Sequence, residues 1–271
     1  MSISFSVLLS VYFKETPENL TECLESIFSQ TLKADEVIIV LDGEVGTDLA
    51  EVINDWKKLL PIVLCRIATN VGLGNALNVG LGKCSNEIVF RMDTDDICTV
   101  KRFELQMDKF ISNPNLSIIG GYVDEYEENL SRKTGCKTVP LDNSDIIKYM
   151  RYRNPFNHMT VAFKKSAIIA VGGYQHHKYM EDYNLWLRLL SHGYSGENLP
   201  DVLVHARAGN AMILRRRGLS YIKSEWLLAK LKRKLLQQTA FESIYVFFIR
   251  VVPRILPTSM TKIIYSLIRK K

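Results

Sequence analysis

Three carboxylates fall within four residues: Asp93, Asp95 and Asp96. The run before them, Ile88–Met92, is mostly apolar, so the acids stand where a buried strand ends. Like charges this close repel and raise one another's pKa values. A hard divalent cation resolves that conflict, because it takes carboxylate oxygens and keeps positions for water or phosphate. Four readings of Asp93-Thr94-Asp95 stand open. A calcium loop of EF-hand type needs Gly at its sixth position and an oxygen ligand at its fifth. Here those are Cys98 and Ile97, although Glu104 falls at the twelfth. A phosphatase of the aspartyl-phosphate type would place the motif on an early strand and need a later Lys and acidic pair. The third reading is a metal–diphosphate clamp for a nucleotide-sugar. The fourth is an exposed acidic turn at a helix N-terminus.

Other residues of chemical interest lie downstream. Glu181 and Asp182 open the segment "EDYNLWLRLLS", a strong helix whose first-turn acids suit the helix dipole. Arg215, Arg216 and Arg217 are consecutive and offer forked donors suited to phosphate.

The elements that must position these residues can be read from apolar patterning. Phe5–Tyr12 is a continuous apolar strand. Thr16-Pro17 opens a helix as N-cap and first residue, with Leu20, Leu24, Ile27 and Phe28 on its apolar face. Glu36–Gly43, Ile62–Ile67 and Glu87–Met92 read as further strands, and Asp48–Leu60 and Gly74–Leu81 as helices. Thr99 is expected to cap a helix running to about Ile111. Strands alternating with helices imply right-handed crossovers and a mostly parallel sheet. Ligands bind such sheets at the carboxyl ends of the strands. There stand Ser10, Tyr12 and Glu15, then Asp42 and Gly43, then the Asn70–Gly80 loop, then the acids at 93–96. Four polar strand ends above apolar strand bodies describe a rim site. The second half is less regular: a strand at Leu116–Val123, a short helix at Ser144–Arg151 and a last strand at Val202–Val204 are expected.

The 271 residues suffice for one sizeable α/β domain or a domain plus an appendage. Five cysteines, an odd number without a Cys-x-x-Cys pair, argue against a zinc site or disulfide framework and for a reducing compartment. The N-terminus reads as a strand rather than a signal peptide. No stretch reaches the ~18–20 apolar residues of a membrane span. The net charge of +6 is unevenly spread. Residues 201–271 hold 15 Lys and Arg against three acids, whereas the remainder holds 20 against 26. Such a split suggests an acidic catalytic body with a basic appendage for an anionic partner.

In order and spacing, "SVLLSVYFKE…LTECLESIFSQTL…DEVIIVLDG…NVGLGNALNVGL…RMDTDD" resembles the family 2 glycosyltransferases of the GT-A fold. "NPFNHMTVAFKK" and "YMEDYNLWLRL" continue the likeness, which covers roughly Phe5 to His205. It is nearest in kind to bacterial transferases of O-antigen, capsule or exopolysaccharide synthesis. The resemblance implies an α/β GT-A catalytic domain over 1–215; the charge and leucine pattern of 216–271 reads as a basic amphipathic helical region. The resemblance also implies Ser10, Tyr12 and Glu15 around the nucleotide base, Asp42 bonded to it, and the Asn70–Asn78 loop, with Gly72 and Asn75, over the nucleoside. Asp93 would sit near the ribose and metal, Asp95 would bind Mn²⁺ or Mg²⁺, and His158 would lie near the diphosphate or acceptor. Asp182 would be the catalytic base. Glu181 is assigned to the acceptor and is the next candidate base.

The chemistry asks for the same groups. A departing diphosphate gains charge that a cation stabilises, and an acceptor hydroxyl needs a carboxylate to take its proton. A base opposite the leaving group predicts inversion at the anomeric carbon. The expected donor is a UDP-hexose or UDP-N-acetylhexosamine, with a dTDP-sugar as the other candidate. The expected acceptor is a polyprenyl-diphosphate-linked saccharide; nucleic acid is not among the expected partners. Rival functions are a metal-dependent sugar-nucleotidyltransferase or phosphatase, and a membrane-bound scaffold that binds nucleotide-sugar without turnover.

Each assignment has a plainer alternative. Asp42 would cap a turn, Asn70 and Gly72 would form an ordinary turn, His158 would be a hydrogen-bonded structural histidine, and Trp186 with Leu185 and Leu189 would be core. His176 and His177 are expected in a solvated loop. After Leu219 the leucines of "EWLLAKLKRKLLQQ" line one helical side beside Lys230, Lys232, Arg233 and Lys234. This region is expected to lie in the membrane interface, holding a cytoplasmic enzyme on the inner face of the cytoplasmic membrane. The alternative is that these helices pack on the catalytic domain or form an oligomer interface.

Overall fold

The computed structural model describes residues 3–208, 218–236 and 238–255. Its first half alternates β1 (Phe5–Val11), α1 (Pro17–Phe28), β2 (Glu36–Asp42), α2 (Thr47–Trp56), β3 (Ile62–Ile67), α3 (Leu73–Lys83) and β4 (Ile88–Arg91). β5 (Ile97–Cys98), α4 (Arg102–Ser112), β6 (Leu116–Tyr126), β7 (Lys133–Lys137) and α5 (Asn143–Tyr149) follow. A 3₁₀ turn at His158–Thr160 leads to β8 (Ala162–Lys164), α6 (Lys165–Ala170), α7 (Glu181–Ser191) and β9 (Ser195–Arg207). Two helices, α8 (Leu219–Leu235) and α9 (Ala240–Ile255), complete the described chain.

One sheet runs β3-β2-β1-β4-β8-β6-β9-β5, with β7 also paired to β6. β1 to β4 pair in parallel, as the alternation of strands and helices predicts. Beyond β4 the sheet turns mixed: β8 is antiparallel to both β4 and β6, and β6 is parallel to β9. β1, β2 and β4 are buried on both faces, which explains their unbroken apolar runs, whereas the edge strand β3 is half-exposed. Phe5, Val7, Leu9 and Val11 face a core shared with α1, α2 and α4. Leu8, Ile38 and Val40 face a second core with α3, α6 and α7, to which Tyr221 and Leu228 of α8 also belong. Helix α8 therefore shares a core with the sheet, as the packing alternative expects of it.

Helix α1 begins as expected, with Thr16 Oγ1 accepting from Asn19 N at 3.2 Å and Pro17 at the first position. Thr99 differs. Its hydroxyl donates to the carbonyls of Val202 and Leu203, at 3.1 and 3.3 Å, and α4 starts only at Arg102. Pairing of β5 with β9 draws Thr99 into the sheet before it can cap. The last strand is likewise longer than its apolar Val202–Val204 centre, because β9 pairs with β6 on both sides of a register shift. His177 departs from the solvated-loop expectation. It is buried, with Nε2 at 2.9 Å from Ser224 O and Nδ1 at 3.1 Å from Asn184 Nδ2, while His176 is exposed. Trp186 is fully buried core.

Candidate active site

At the end of β4, Arg91 is 1% exposed and grips Asp93 with both terminal nitrogens, Nη1 to Oδ2 at 2.6 Å and Nη2 to Oδ1. Arg102, itself buried, donates to the Arg91 carbonyl at 2.7 Å and so fixes the strand end. Asp96 is buried and accepts from Arg207 N at 3.2 Å. Asp95 is exposed between them. One oxygen from each of Asp93, Asp95 and Asp96 lies within 4.8 Å of the others. The protein crowded around Asp95, with the charges of Asp93 and Glu15, raises its pKa to about 6. Burial, then Asp95 and Asp93, push Asp96 well above the carboxylate range. Three hard oxygen donors at this spacing, strained by their own repulsion, suit a divalent cation. Asp93 is already neutralised by Arg91, so Asp95 is the acid most available to one.

These acids form part of the lining of a pocket of about 470 Å³. Ser10, Tyr12 and Glu15 from the end of β1 line it, as do Asp42, Asn70 and Gly72. Glu15 accepts from Thr94 Oγ1, tying the first strand end to the acidic turn. Asp42 is 3% exposed and receives Val71 N at 2.7 Å and Gly72 N at 3.0 Å. Asn70 Nδ2 donates to the Asp42 carbonyl at 3.1 Å. Asp42 therefore caps a turn, but the turn at 70–72 rather than one at Gly43, and still lines the pocket. Gly43 makes this approach feasible: its φ is +89° and a Cβ there would lie 2.9 Å from Asn70 N. Asn75 is exposed, bonds Val71 O one turn back at 3.0 Å and does not line the pocket.

Glu181 and Asp182 sit in the first turn of α7. Asp182 is half-buried and its Oδ2 accepts from Asn154 Nδ2 at 2.6 Å. Burial, with Asp182 adding, raises the pKa of Glu181. A Cβ on Gly74 would lie 3.3 Å from Glu181 Cγ and 3.4 Å from Tyr174 Cβ, so this corner packs on α3 just behind Leu73 of the pocket wall. Tyr174 is buried beside Gly74 and Asn78 of α3. Burial raises its phenol pKa; Arg91 opposes this, and Asp182 and Asp93 both add to it. Asn78 locks Tyr174 to α3 through its backbone, at 2.7 and 2.8 Å.

His158 lies outside the pocket lining. Its Nε2 meets Tyr174 Oη at 2.8 Å, and its ring lies 6.1 Å from that of Trp186. Burial, with Arg91 adding, pushes its pKa well down, which keeps the ring neutral. Its bond to Tyr174 fits the hydrogen-bonded structural histidine of the plainer reading. Arg215, Arg216 and Arg217 lie outside the described residues.

Among the residues that went unnoticed in the sequence are Arg91, Asn154, Tyr174 and Arg207, with Glu125, Lys137 and Met159 of the pocket wall. Arg207 donates Nη1 to the Asp95 carbonyl and Nη2 to Glu22, which ties the end of β9 to the acidic turn. Arg91 did leave a signal. A charge inside "IVFRMD", two residues before Asp93 and hence on the same strand face, calls for a buried partner. Asn154, Tyr174 and Arg207 left none that spacing could reveal.

The family model for Glycosyl transferase family 2 matches residues 6–177. The chain belongs to glycosyltransferase family 2. The glycosyltransferase is 48% identical over 266 residues to an amylovoran biosynthesis glycosyltransferase, AmsE, of Erwinia amylovora, covering 98% of this chain and 99% of that one. It is 41% identical over 263 residues to UDP-Gal:alpha-D-GlcNAc-diphosphoundecaprenol beta-1,3-galactosyltransferase of Escherichia coli, covering 97% and 95%. Among solved structures, residues 1–349 of S. aureus TarS with UDP-GlcNAc superpose at TM-score 0.68 and 18% identity, over 92% of this chain and 72% of that one. A mannosyltransferase of Pyrobaculum calidifontis with GDP-Man and Mn²⁺ superposes at TM-score 0.63 and 15% identity, over 97% and 78%. These likenesses show the GT-A fold. The glycosyltransferase's relatives work in polysaccharide and O-antigen synthesis.

Proposed function

We propose that this enzyme transfers a hexose or N-acetylhexosamine from a UDP-sugar, with inversion, to a polyprenyl-diphosphate-linked saccharide in bacterial surface polysaccharide synthesis. The observation that carries the reading is the pocket at the carboxyl ends of the parallel strands, where Ser10, Tyr12, Glu15 and Asp42 face the cluster of Asp93, Asp95 and Asp96. The name of the Escherichia coli relative supports the donor and acceptor class.

Asp95 and Asp93 would hold Mn²⁺ or Mg²⁺, which when bound supplies Lewis-acid stabilisation of the diphosphate charge. Ser10, Tyr12 and Glu15 take the base end of the nucleotide, and the 70–72 loop braced by Asp42 covers the nucleoside. Asp182 takes the proton from the acceptor hydroxyl, and Asn154 aims its carboxylate. Only one Asp182 oxygen is engaged by a side chain among the described residues, so the other is available as the proton acceptor.

The enzyme works on the inner face of the cytoplasmic membrane. No described helix is long and apolar enough to cross a membrane, but α9 exposes Phe241, Ile244, Tyr245, Phe248, Ile249 and Val252 on one side. Trp226 of α8 meets Phe247 at 5.5 Å between centroids, and Lys223, Lys230, Arg233 and Lys234 of α8 are exposed. The two acids of these helices face cations: Glu225 pairs with Arg250, and Glu242 with Arg151 at 3.3 Å. An apolar ridge on α9 and four exposed cations on α8 fit an anionic lipid surface.

The deciding experiment offers a panel of UDP-sugars and dTDP-sugars with Mn²⁺ and a lipid-diphosphate-GlcNAc acceptor. Released nucleotide is measured and the product's anomeric configuration is read by NMR. Transfer from a UDP-sugar with inversion is expected. Retention of configuration, or release of diphosphate in place of nucleoside diphosphate, overturns the reading.

A further inference from the structure

The chain leaving α5 is gripped from three helices. The carbonyls of Met150, Arg151 and Tyr152 lie beyond the helix's own hydrogen-bond ladder and need outside donors. Tyr183 Oη of α7 donates to Met150 O at 2.7 Å. Lys232 Nζ of α8 donates to Arg151 O at 3.1 Å, and Arg250 Nη1 of α9 to Tyr152 O at 3.1 Å. Both cations also stack over the Tyr183 ring, at 5.1 and 5.3 Å from its centroid. Arg250 is held in turn by Glu225, Nε to Oε2 at 2.6 Å and Nη2 to Oε1 at 2.9 Å. Lys232, Tyr183 and Glu225 are all at most 2% exposed. Two residues past Tyr152 stands Asn154, whose amide donates to Asp182. Asp182 directly precedes Tyr183, so the carboxylate is bracketed by its own helix and by the clamped segment.

We propose that Lys232 and Arg250 are positioning residues for the transfer reaction. By holding the carbonyls of Arg151 and Tyr152 they set Asn154, and through it the Asp182 carboxylate. The inference rests on Asp182 being the base. It makes the C-terminal helices part of the frame of the active site as well as a surface for lipid. A misplacement of about 1 Å at a reacting group can cost about 10²-fold in rate, so the hydrogen bonds that hold this segment have leverage on turnover.

The test uses full-length Lys232→Met, Arg250→Gln, Asn154→Ala and Asp182→Asn, each normalised to folded protein by circular dichroism. Lys232→Met removes the donor, roughly keeps the volume and strands no charge, so it decides if Arg250→Gln does not fold. Transfer to a soluble acceptor analogue and calorimetric affinity for UDP with Mn²⁺ are measured. Lys232→Met should lower kcat by about 10-fold or more, with UDP affinity within about twofold. Lys232→Met combined with Asn154→Ala should be no worse than the poorer single variant, because both act through one carboxylate. Wild-type kcat in Asp182→Asn overturns the base assignment and this proposal with it. Loss of kcat in Asp182→Asn alongside wild-type kcat in Lys232→Met and Arg250→Gln overturns the positioning role alone.

Discussion

Asp93 and Asp95 are the same residue type two positions apart, yet their surroundings give them different work. Arg91 holds both oxygens of Asp93, while Asp95 stands open to the pocket with its charge opposed by Asp93 and Glu15. Asp95→Asn should therefore abolish metal-dependent nucleotide binding. Calorimetry with and without Mn²⁺ checks this, and unchanged metal-dependent UDP affinity would remove Asp95 from the metal site. The same variant should raise the melting temperature of the metal-free protein, because one of the crowded charges is gone. Asp182→Asn should behave oppositely. Its donor affinity stays, and kcat falls by about 10²–10⁴-fold, the usual worth of a general base. Steady-state kinetics alongside UDP calorimetry separates the two effects, and near-normal turnover would pass the role to Glu181.

The turn between β2 and α3 shows how elements reach across the sheet to shape a pocket. Gly43, at φ +89° and against Asn70, lets the end of β2 meet the 70–72 loop that Asp42 braces. Gly43→Ala adds a Cβ where the backbone disfavours one and where Asn70 blocks it. The expected result is a loss of about 1–3 kcal/mol in urea unfolding and a raised KM for the donor with little change in kcat. At α8 the relevant quantity is charge. Burial lowers the pKa of Lys232 to about 7, with Arg250 adding to the shift and Glu225 opposing it. In the unfolded chain a lysine stays protonated to about pH 10.4. Between those values the unfolded state holds more protons, so this group makes stability rise with pH, and the gain is absent below about pH 7. Unfolding at pH 7 and 8.5 should show the wild type gaining up to about 2 kcal/mol relative to Lys232→Met. Equal pH slopes for the two proteins would show that Lys232 keeps an ordinary pKa.

Over the whole molecule, the basic C-terminal portion has two faces with different duties. Leu228, Tyr221, Lys232 and Arg250 turn inward to the catalytic core, whereas Phe241, Phe248 and Ile249 turn outward. Cutting the chain at Thr239 removes Arg250 together with the outward face, so such a truncation confuses anchoring with catalysis. Substituting Phe241 and Phe248 by Glu touches the outward face alone. It should reduce co-sedimentation with anionic liposomes severalfold, most clearly at low salt, and leave kcat on a soluble acceptor unchanged. Undiminished liposome binding by this variant would exclude α9 as the anchor.

Much of this was determined by local sequence. β1, β2 and β4 announce themselves because strands buried on both faces must be apolar throughout, and their polar carboxyl ends mark the rim where Ser10, Asp42 and Asp95 now line one pocket. Thr16-Pro17 declares a helix start because capping is a contact between near neighbours. Tertiary structure decided what depends on distant partners. Thr99 lost its cap to β9, 103 residues away. Asp42 turned to backbone amides at positions 71 and 72, and His158 spent its ring on Tyr174. The β6–β9 half of the sheet, where β8 runs antiparallel to both its neighbours, follows pairings that no periodicity encodes. The clamp on 150–152 is the extreme case. Its donors come from positions 183, 232 and 250 and its acceptors are backbone carbonyls, which carry no side-chain identity for a sequence to display.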